Sequence, residues 1–315
     1  MASARPAEPF AEIDRLVSGT GRVPDEVAER AQALQAAARQ RTSDVPLCSA
    51  IASALLEQPG ERVSLFTGFV VPGAFPYGEN DGPLGAVILA RALRRAGFAV
   101  SIYADPPVLD HTVWLAAEVD AGVFVGAIPD SSALRFVDTV DMTIAIEKPG
   151  RNARGFLHAW NGSRIETGSI PIDEHFEQVT AAGKLSIAIG DRGNEIGFGT
   201  IYEELLALVP EAGRCACGCG GGRASVTPAR LLYPTTVSNW GAYGLAAALA
   251  IATGDPSLAV RPDEEARLLH VAAVRGCRDG LLGTAAFGVD GVSGAISIAV
   301  VGALRDVVLT ALDGA

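Results

Sequence analysis

The stretch LSIAIGDRGNEIGFG, residues 185–199, decides the fold. Its first seven residues are a continuous apolar or small run closed by a carboxylate, Asp191, and a run without alternation is the mark of a strand covered on both faces. Glycines at 190, 193, 197 and 199 follow, so the chain can turn sharply and bring its backbone close to a ligand. A helical pattern then runs over 194–208. This strand, glycine-rich turn and helix form half of a βαβ unit.

The same unit recurs on either side. VSLFTGF (63–69), AVSIYAD (99–105), GVFVGA (122–127), MTIAIEK (142–148) and YPTTVSN (233–239) read as further buried strands, with helices at 83–96 and 240–252 among the connections. The alternation predicts an α/β fold with a doubly wound, mainly parallel sheet and helices on both faces. Residues 1–60 differ. Phe10, Ile13, Leu16 and Val17, and again residues 45–56, keep helical spacing without a strand, which predicts an N-terminal helical extension before an α/β catalytic domain over 61–315. Helices are expected again at 263–276 and about 292–312, and residues 150–178 read as a long polar loop.

Composition narrows the function. Lys and Arg total 25 against 36 Asp and Glu, a net charge of −11, and no basic stripe is present to hold a phosphate backbone, so nucleic acid is excluded as a partner. The longest apolar run, GAISIAVVGAL at 294–304, is shorter than a bilayer span and is closed by Arg305, so no membrane segment is expected. The first residues lack the apolar stretch of a signal peptide, which leads to the expectation of a cytoplasmic protein. The apolar C-terminal helix fits a homodimer. Five cysteines, an odd number, argue against a disulfide framework. Three of them, Cys215, Cys217 and Cys219, lie in CACGC, but that spacing has no C-x₂-C knuckle and no evident fourth ligand, so a plain loop is favoured over a zinc or redox site. His158 and His175 are expected as exposed loop residues.

The chemistry-bearing residues cluster at strand ends. Asp105, Glu147, Asp191 and Asn239 close four of the strands, and in a parallel sheet those ends face one crevice. Glu79, Asp81, Glu147, Asp173, Asp191 and Glu195 brought together there could not all ionise without a compensating cation, and oxygen donors suit Mg²⁺ or Mn²⁺. The alternative is structural: turn residues at 79 and 81, a helix cap from Asp191 and Asn194, and Glu195 in the first turn of that helix. Signatures of nucleoside triphosphate, dinucleotide, zinc-protease and serine-hydrolase sites are absent.

At these loops the sequence resembles the D-glutamate cyclase family over about residues 60–310. The matching stretches are TGF (67–69), E-x-DGP-x-GA (79–86), E-x-PGR (147–151), P-x-D (171–173), GD-x-GNEIG-x-G (190–199), SNWG (238–241), RDG (278–280) and VDGVSG (289–294). Three positions depart from the family's pattern: Asn80 stands for Thr, Lys148 for Arg and Arg192 for Gly. The resemblance implies a lyase that closes D-glutamate into 5-oxo-D-proline with loss of water, with a divalent metal as cofactor. Glu147, Asp191 and Glu195 become the candidate catalytic residues. Asp81, Gly82, Arg151, Gly193, Asn194, Ser238 and Asn239 become candidates to hold the acidic substrate, with helix N-termini after Asp81 and Gly193 helping. Two other readings stay open: a metal-dependent hydrolase of a small anionic ester or amide, and a non-catalytic module that binds an acidic metabolite.

Overall fold

The structure, a computed structural model, describes residues 7–58, 61–129 and 139–314. Six strands form one parallel sheet: β1 (Arg62–Thr67), β2 (Ala99–Ala104), β3 (Phe124–Ala127), β4 (Met142–Ile146), β7 (Leu185–Gly190) and β8 (Leu231–Pro234). Their order is β3-β2-β1-β4-β7-β8. The chain starts at the centre, winds to one edge, returns and winds to the other, so the sheet has a switch point between β1 and β4 where the loops leave in opposite directions. Two small antiparallel pairs, β5 (Leu157–His158) with β6 (Arg164–Ile165) and β9 (Gly288–Val289) with β10 (Val292–Ser293), complete the strands. The segment expected as a loop over 150–178 thus contains a hairpin, β5–β6.

Burial explains the helices. In α8 (Ser238–Thr253) every residue from 238 to 251 is buried, so the segment has no charged face to show. It packs on α4 (Pro83–Arg95) and on α10 (Gly294–Asp313). Its polar tips are answered inside the core: Tyr243 donates to Glu265 Oε2 at 2.6 Å, and Trp240 Nε1 donates to Ser297 Oγ at 2.9 Å. Glu265 belongs to α9 (Pro262–Val274), so this network joins three helices. α10 corrects the expectation of no bilayer-length segment. It runs on through Arg305 and Asp306 to 20 residues, and by length and mean hydropathy is long and apolar enough to cross a membrane. Here it is built into the protein, with Val300, Val301, Leu304 and Val308 in the common core.

The three N-terminal helices, α1 (Glu8–Val17), α2 (Asp25–Arg39) and α3 (Leu47–Leu56), share that core with the sheet. Asp14 shows how. Its carboxylate accepts the N–H groups of Leu47 and Cys48 at the start of α3 and the hydroxyl of Tyr233 on β8, so one buried side chain ties α1 and α3 to the sheet. The remaining helices are α5 (Leu109–Glu118), α6 (Asp173–Ala181), which packs on β4 and β7, and α7 (Tyr202–Leu208). The expected helix from residue 194 does not form there. Residues 191–198 are loop, a 3₁₀ turn covers Gly199–Ile201, and α7 follows, since glycines at 193, 197 and 199 disfavour an earlier start.

Candidate active site

The loops leaving β1, β4 and β7 meet at the switch point, joined by the start of α8 and the β9–β10 turn. Two of the loops are zipped together: Gly150 N–H donates to Asn194 O at 2.9 Å and Ile196 N–H to Lys148 O at 2.8 Å. The third is fastened to the C-terminal segment, with Asn80 N–H donating to Arg278 O at 2.8 Å and Asn80 Nδ2 to Gly288 O at 2.6 Å. Asp290 and Gly291 form the two-residue turn of β9–β10, both with positive φ (52° and 74°), as Asp-Gly favours in a tight hairpin. That turn aims Asp290 at the loops of the sheet. Oxygens of Asp81, Asp191 and Asp290 lie within 4.8 Å of one another, and so do those of Glu147, Asp191 and Glu195. Asp191 belongs to both groups.

Each carboxylate is positioned by a specific local device. Asp81 accepts the N–H groups of Ser238 (2.9 Å) and Asn239 (2.8 Å), the first two residues of α8. Asn239 Oδ1 in turn accepts the N–H groups of Gly82 (2.9 Å) and Gly85 (2.7 Å) at the start of α4. Each helix therefore caps the other across 154 to 158 residues of sequence. Glu195 accepts the Gly193 N–H at 2.8 Å, and Ser238 Oγ donates to Glu147 Oε2 at 2.5 Å. Glu147 sits at φ +47°, a conformation rare for a residue with a side chain and maintained here by the zipped loops on either side of it. Glu79 lies against the backbone of Gly280, where a Cβ would come within 1.7 Å of its Oε2, so a side chain at that position in RDG would displace the Glu79 carboxylate.

Burial dominates the electrostatics. Removal from water, with the neighbouring carboxylates second, pushes Glu79 and Glu147 well above the usual carboxylate range. Burial does the same to Asp191, against the opposing pull of the Arg192 guanidinium. Asp81 rises to about 8, by burial and then by Asp290, despite the backbone N–H groups that favour its charged form. Arg192 is the cation that answers them: its Nε lies 3.3 Å from Asp191 and its Nη2 lies 2.7 Å from Asp290. Asp191 Oδ1 remains buried with no hydrogen-bond partner.

Several expected members stand elsewhere. Asp173 begins α6, where its Oδ1 accepts Arg151 N–H at 2.8 Å and the Thr227 hydroxyl. The Arg151 side chain turns to Asp173, Glu174 and Glu177 of the same helix, so its charge is already answered on that face. Asp105 is paired with Lys148 at 2.5 Å, both fully buried, and takes no part in the acidic cluster. No helix starts at Gly193, whose N–H serves Glu195. The α4 start also has its amides occupied, by Asp81 and Asn239. Asn194 Nδ2 donates to His158 O at 3.0 Å, which leaves its buried Oδ1 without a hydrogen-bond partner. His158 and His175, expected on exposed loops, are both buried.

Sequence reasoning missed Asp290 and two arginines, Arg30 and Arg223. A cavity of about 160 Å³ opens beside Asp191 and Arg192, lined also by Arg30, Arg223, Trp160 and Leu34. Arg30 comes from α2, so the N-terminal helices help to build the cavity. Arg223 Nε is buried with no hydrogen-bond partner, and Glu211 and Val209 complete the lining. The DG dipeptide at 290–291 was the available signal for Asp290; Arg30 and Arg223 give none in sequence.

A family model described as "D-glutamate cyclase-like, C-terminal" matches residues 18–305, and the chain belongs to that family. It is similar to the Homo sapiens protein named "D-glutamate cyclase, mitochondrial", with 31% identity over 217 residues, 60% of this chain and 32% of the relative. The match spans about a third of that relative's length.

Proposed function

We propose that this member of the D-glutamate cyclase-like family is a metal-dependent carbon–oxygen lyase that cyclises D-glutamate to 5-oxo-D-proline. The observation that carries the reading is the juxtaposition of two sites. Buried carboxylates with an unpartnered oxygen on Asp191 meet a small cavity rimmed by Arg30, Arg192 and Arg223. An oxygen-only donor set at that density fits a hard divalent cation, Mn²⁺ or Mg²⁺, held by Asp191 with Asp81 and Asp290 or with Glu147 and Glu195. Such a cation, when bound, supplies Lewis acidity toward a carboxylate, which is otherwise a poor electrophile.

The chain's own groups supply the rest. Arg30 and Arg223 hold the carboxylates of an amino-dicarboxylic acid, bidentate where the guanidinium presents its fork, while Arg192 stays paired with Asp191 and Asp290. Trp160 and Leu34 wall the cavity, so the substrate folds with its amine against its own γ-carboxyl, and proximity carries much of the rate. The amine nitrogen bonds to the γ-carboxyl carbon, one carbon–oxygen bond of that carboxyl breaks, and the two protons lost by the ammonium leave with that oxygen as water. With the cation on Asp191, Asp81 and Asp290, Glu147, buried and held by Ser238 Oγ, is the carboxylate left to take a proton from the ammonium and return it to the departing oxygen.

The deciding experiment incubates purified protein with D- or L-glutamate, with and without Mn²⁺, and follows 5-oxoproline by chiral chromatography. The expected result is metal-dependent product from the D-enantiomer. Turnover of small esters or amides alone would favour a hydrolase, and thermal stabilisation by D-glutamate without turnover a binding module.

A further inference from the structure

We propose that Cys215, Cys217, Cys219 and His158 form a closed structural zinc site, separate from the acidic cluster. The four ligand atoms converge from two segments, the β5–β6 hairpin and the glycine-rich loop after α7, and all lie within 4.8 Å of one another. A tetrahedron with zinc about 2.3 Å from each sulfur and about 2.0 Å from nitrogen has S···S edges near about 3.8 Å and S···N edges near about 3.5 Å. The structure has Cys215 Sγ 3.4 Å from Cys219 Sγ and 3.7 Å from Cys217 Sγ. His158 Nε2 is 3.2 Å from Cys217 Sγ and 3.9 Å from Cys219 Sγ. Four of the six edges are thus within a few tenths of an ångström of a zinc tetrahedron.

The surroundings also fit a zinc centre. His158 Nδ1 faces Phe156 O at 3.3 Å, a contact that takes an Nδ1–H and leaves the Nε2 lone pair for the thiols. Asn152 Nδ2 lies 3.3 Å from Cys219 Sγ and 2.6 Å from Gly222 O, so an amide donor supports one sulfur and ties the two segments together. Glycines at 218 and 220, both with positive φ, let the chain wrap three closely spaced cysteines around a point, where an extended segment would splay them. The loop itself, GRCACGCGGG at 213–222, has no side chains large enough to bury a core of its own, so a staple is what its order calls for. Thiolate and imidazole select zinc, whereas the carboxylates select a hard cation, and the chemistry keeps the two metals apart.

The consequence for the protein is mechanical. With four protein ligands no coordination position is open, so the zinc does no chemistry. It clamps the hairpin whose His158 carbonyl accepts from Asn194, the residue between Gly193 and Glu195, and whose Trp160 lines the arginine cavity. The inference stands independently of the reaction assigned to the acidic site, since its readout is metal content.

The test uses the full chain purified without chelator or added metal, analysed by inductively coupled plasma mass spectrometry. About one zinc per chain is expected, resistant to mild chelation. Exchange for Co²⁺ should give intense visible bands of tetrahedral geometry and a near-ultraviolet thiolate band. Cys217→Ser, at an exposed position, should lose the thiolate intensity and most of the zinc with the near-ultraviolet circular dichroism retained; His158→Gln should do likewise. Cys48→Ser and Asp191→Asn should retain the zinc. Reduced, folded protein that carries no zinc and gives no tetrahedral Co²⁺ spectrum would overturn the proposal. So would zinc that departs with Asp191→Asn and stays with Cys217→Ser, or a disulfide joining two of the three cysteines in the protein as isolated.

Discussion

Asp191→Asn preserves size and removes one negative charge from the residue that both carboxylate groups share. Two carboxylates 4.8 Å apart repel by about 3 kcal/mol at an effective dielectric constant of about 20, and Asp191 has several such neighbours against one attraction to Arg192. No helix starts at this loop, so no cap is lost, and the metal-free fold should be as stable as the parent or more so above neutral pH. Catalysis should move the other way. Losing a ligand and a preorganised charge is expected to cut turnover of D-glutamate by two or more orders of magnitude, about 3 kcal/mol or more in barrier. Three measurements belong together: chromatographic 5-oxoproline formation at saturating Mn²⁺, calorimetric Mn²⁺ affinity, and a thermal melt with and without metal. A folded variant with turnover within tenfold of the parent and unchanged Mn²⁺ affinity would refute the assignment of Asp191, and with it the shared-ligand geometry.

Stability should depend on pH in a direction set by the buried acids. Asp81 titrates at about 8 in the folded protein and near 3.8 in a model peptide, so the folded state binds the extra proton between those values, and metal-free protein should lose stability as pH rises from about 4 to about 8. Mn²⁺ should flatten that slope; melts that become more stable with pH across the window would contradict it. Lys148→Met leaves Asp105 buried and unpaired, and urea unfolding should show a loss of about 3 to 5 kcal/mol, with less than about 1 kcal/mol counting against the pair. Arg223→Met removes a guanidinium from the cavity lining and should raise KM for D-glutamate tenfold or more while kcat changes little; an unchanged KM would place the substrate elsewhere.

Much of the sheet was legible because burial on both faces leaves runs such as 142–146 and 185–190 without a charged residue, their Thr143 and Ser186 being small and buried. The ends were less so. The strand expected over 233–239 is Leu231–Pro234: after the Thr235 N–H bond to Gly190 O the chain turns, and α8 already begins at Ser238; the helix expected from 194 begins at Tyr202 behind its glycines. Within the site, residues following strands could be found by position, as Glu147 and Asp191 were. Asp290, Arg30 and Arg223 arrive from distant segments whose approach depends on tertiary packing. The misplacement of Asp173 and Arg151 has the opposite cause: they are near the motif in sequence, yet Arg151 is drawn to the acidic residues of α6 and Asp173 accepts from Arg151 N–H and the Thr227 hydroxyl. His158 read as an exposed loop residue because its two-residue strand leaves no periodicity to detect.

The reciprocal capping of α4 and α8 by Asn239 and Asp81 also has a kinetic meaning. Neither helix start can release its amides without exposing the other, and both helices lie in the core, so opening of the acidic centre should require both helix starts to come apart together. The amides of Gly85, Ser238 and Asn239 should exchange with deuterium only through global unfolding, at the slowest rate in the molecule. A centre held this way forms last as the chain folds, when residues 157 apart finally meet, and thereafter it persists as long as the fold does.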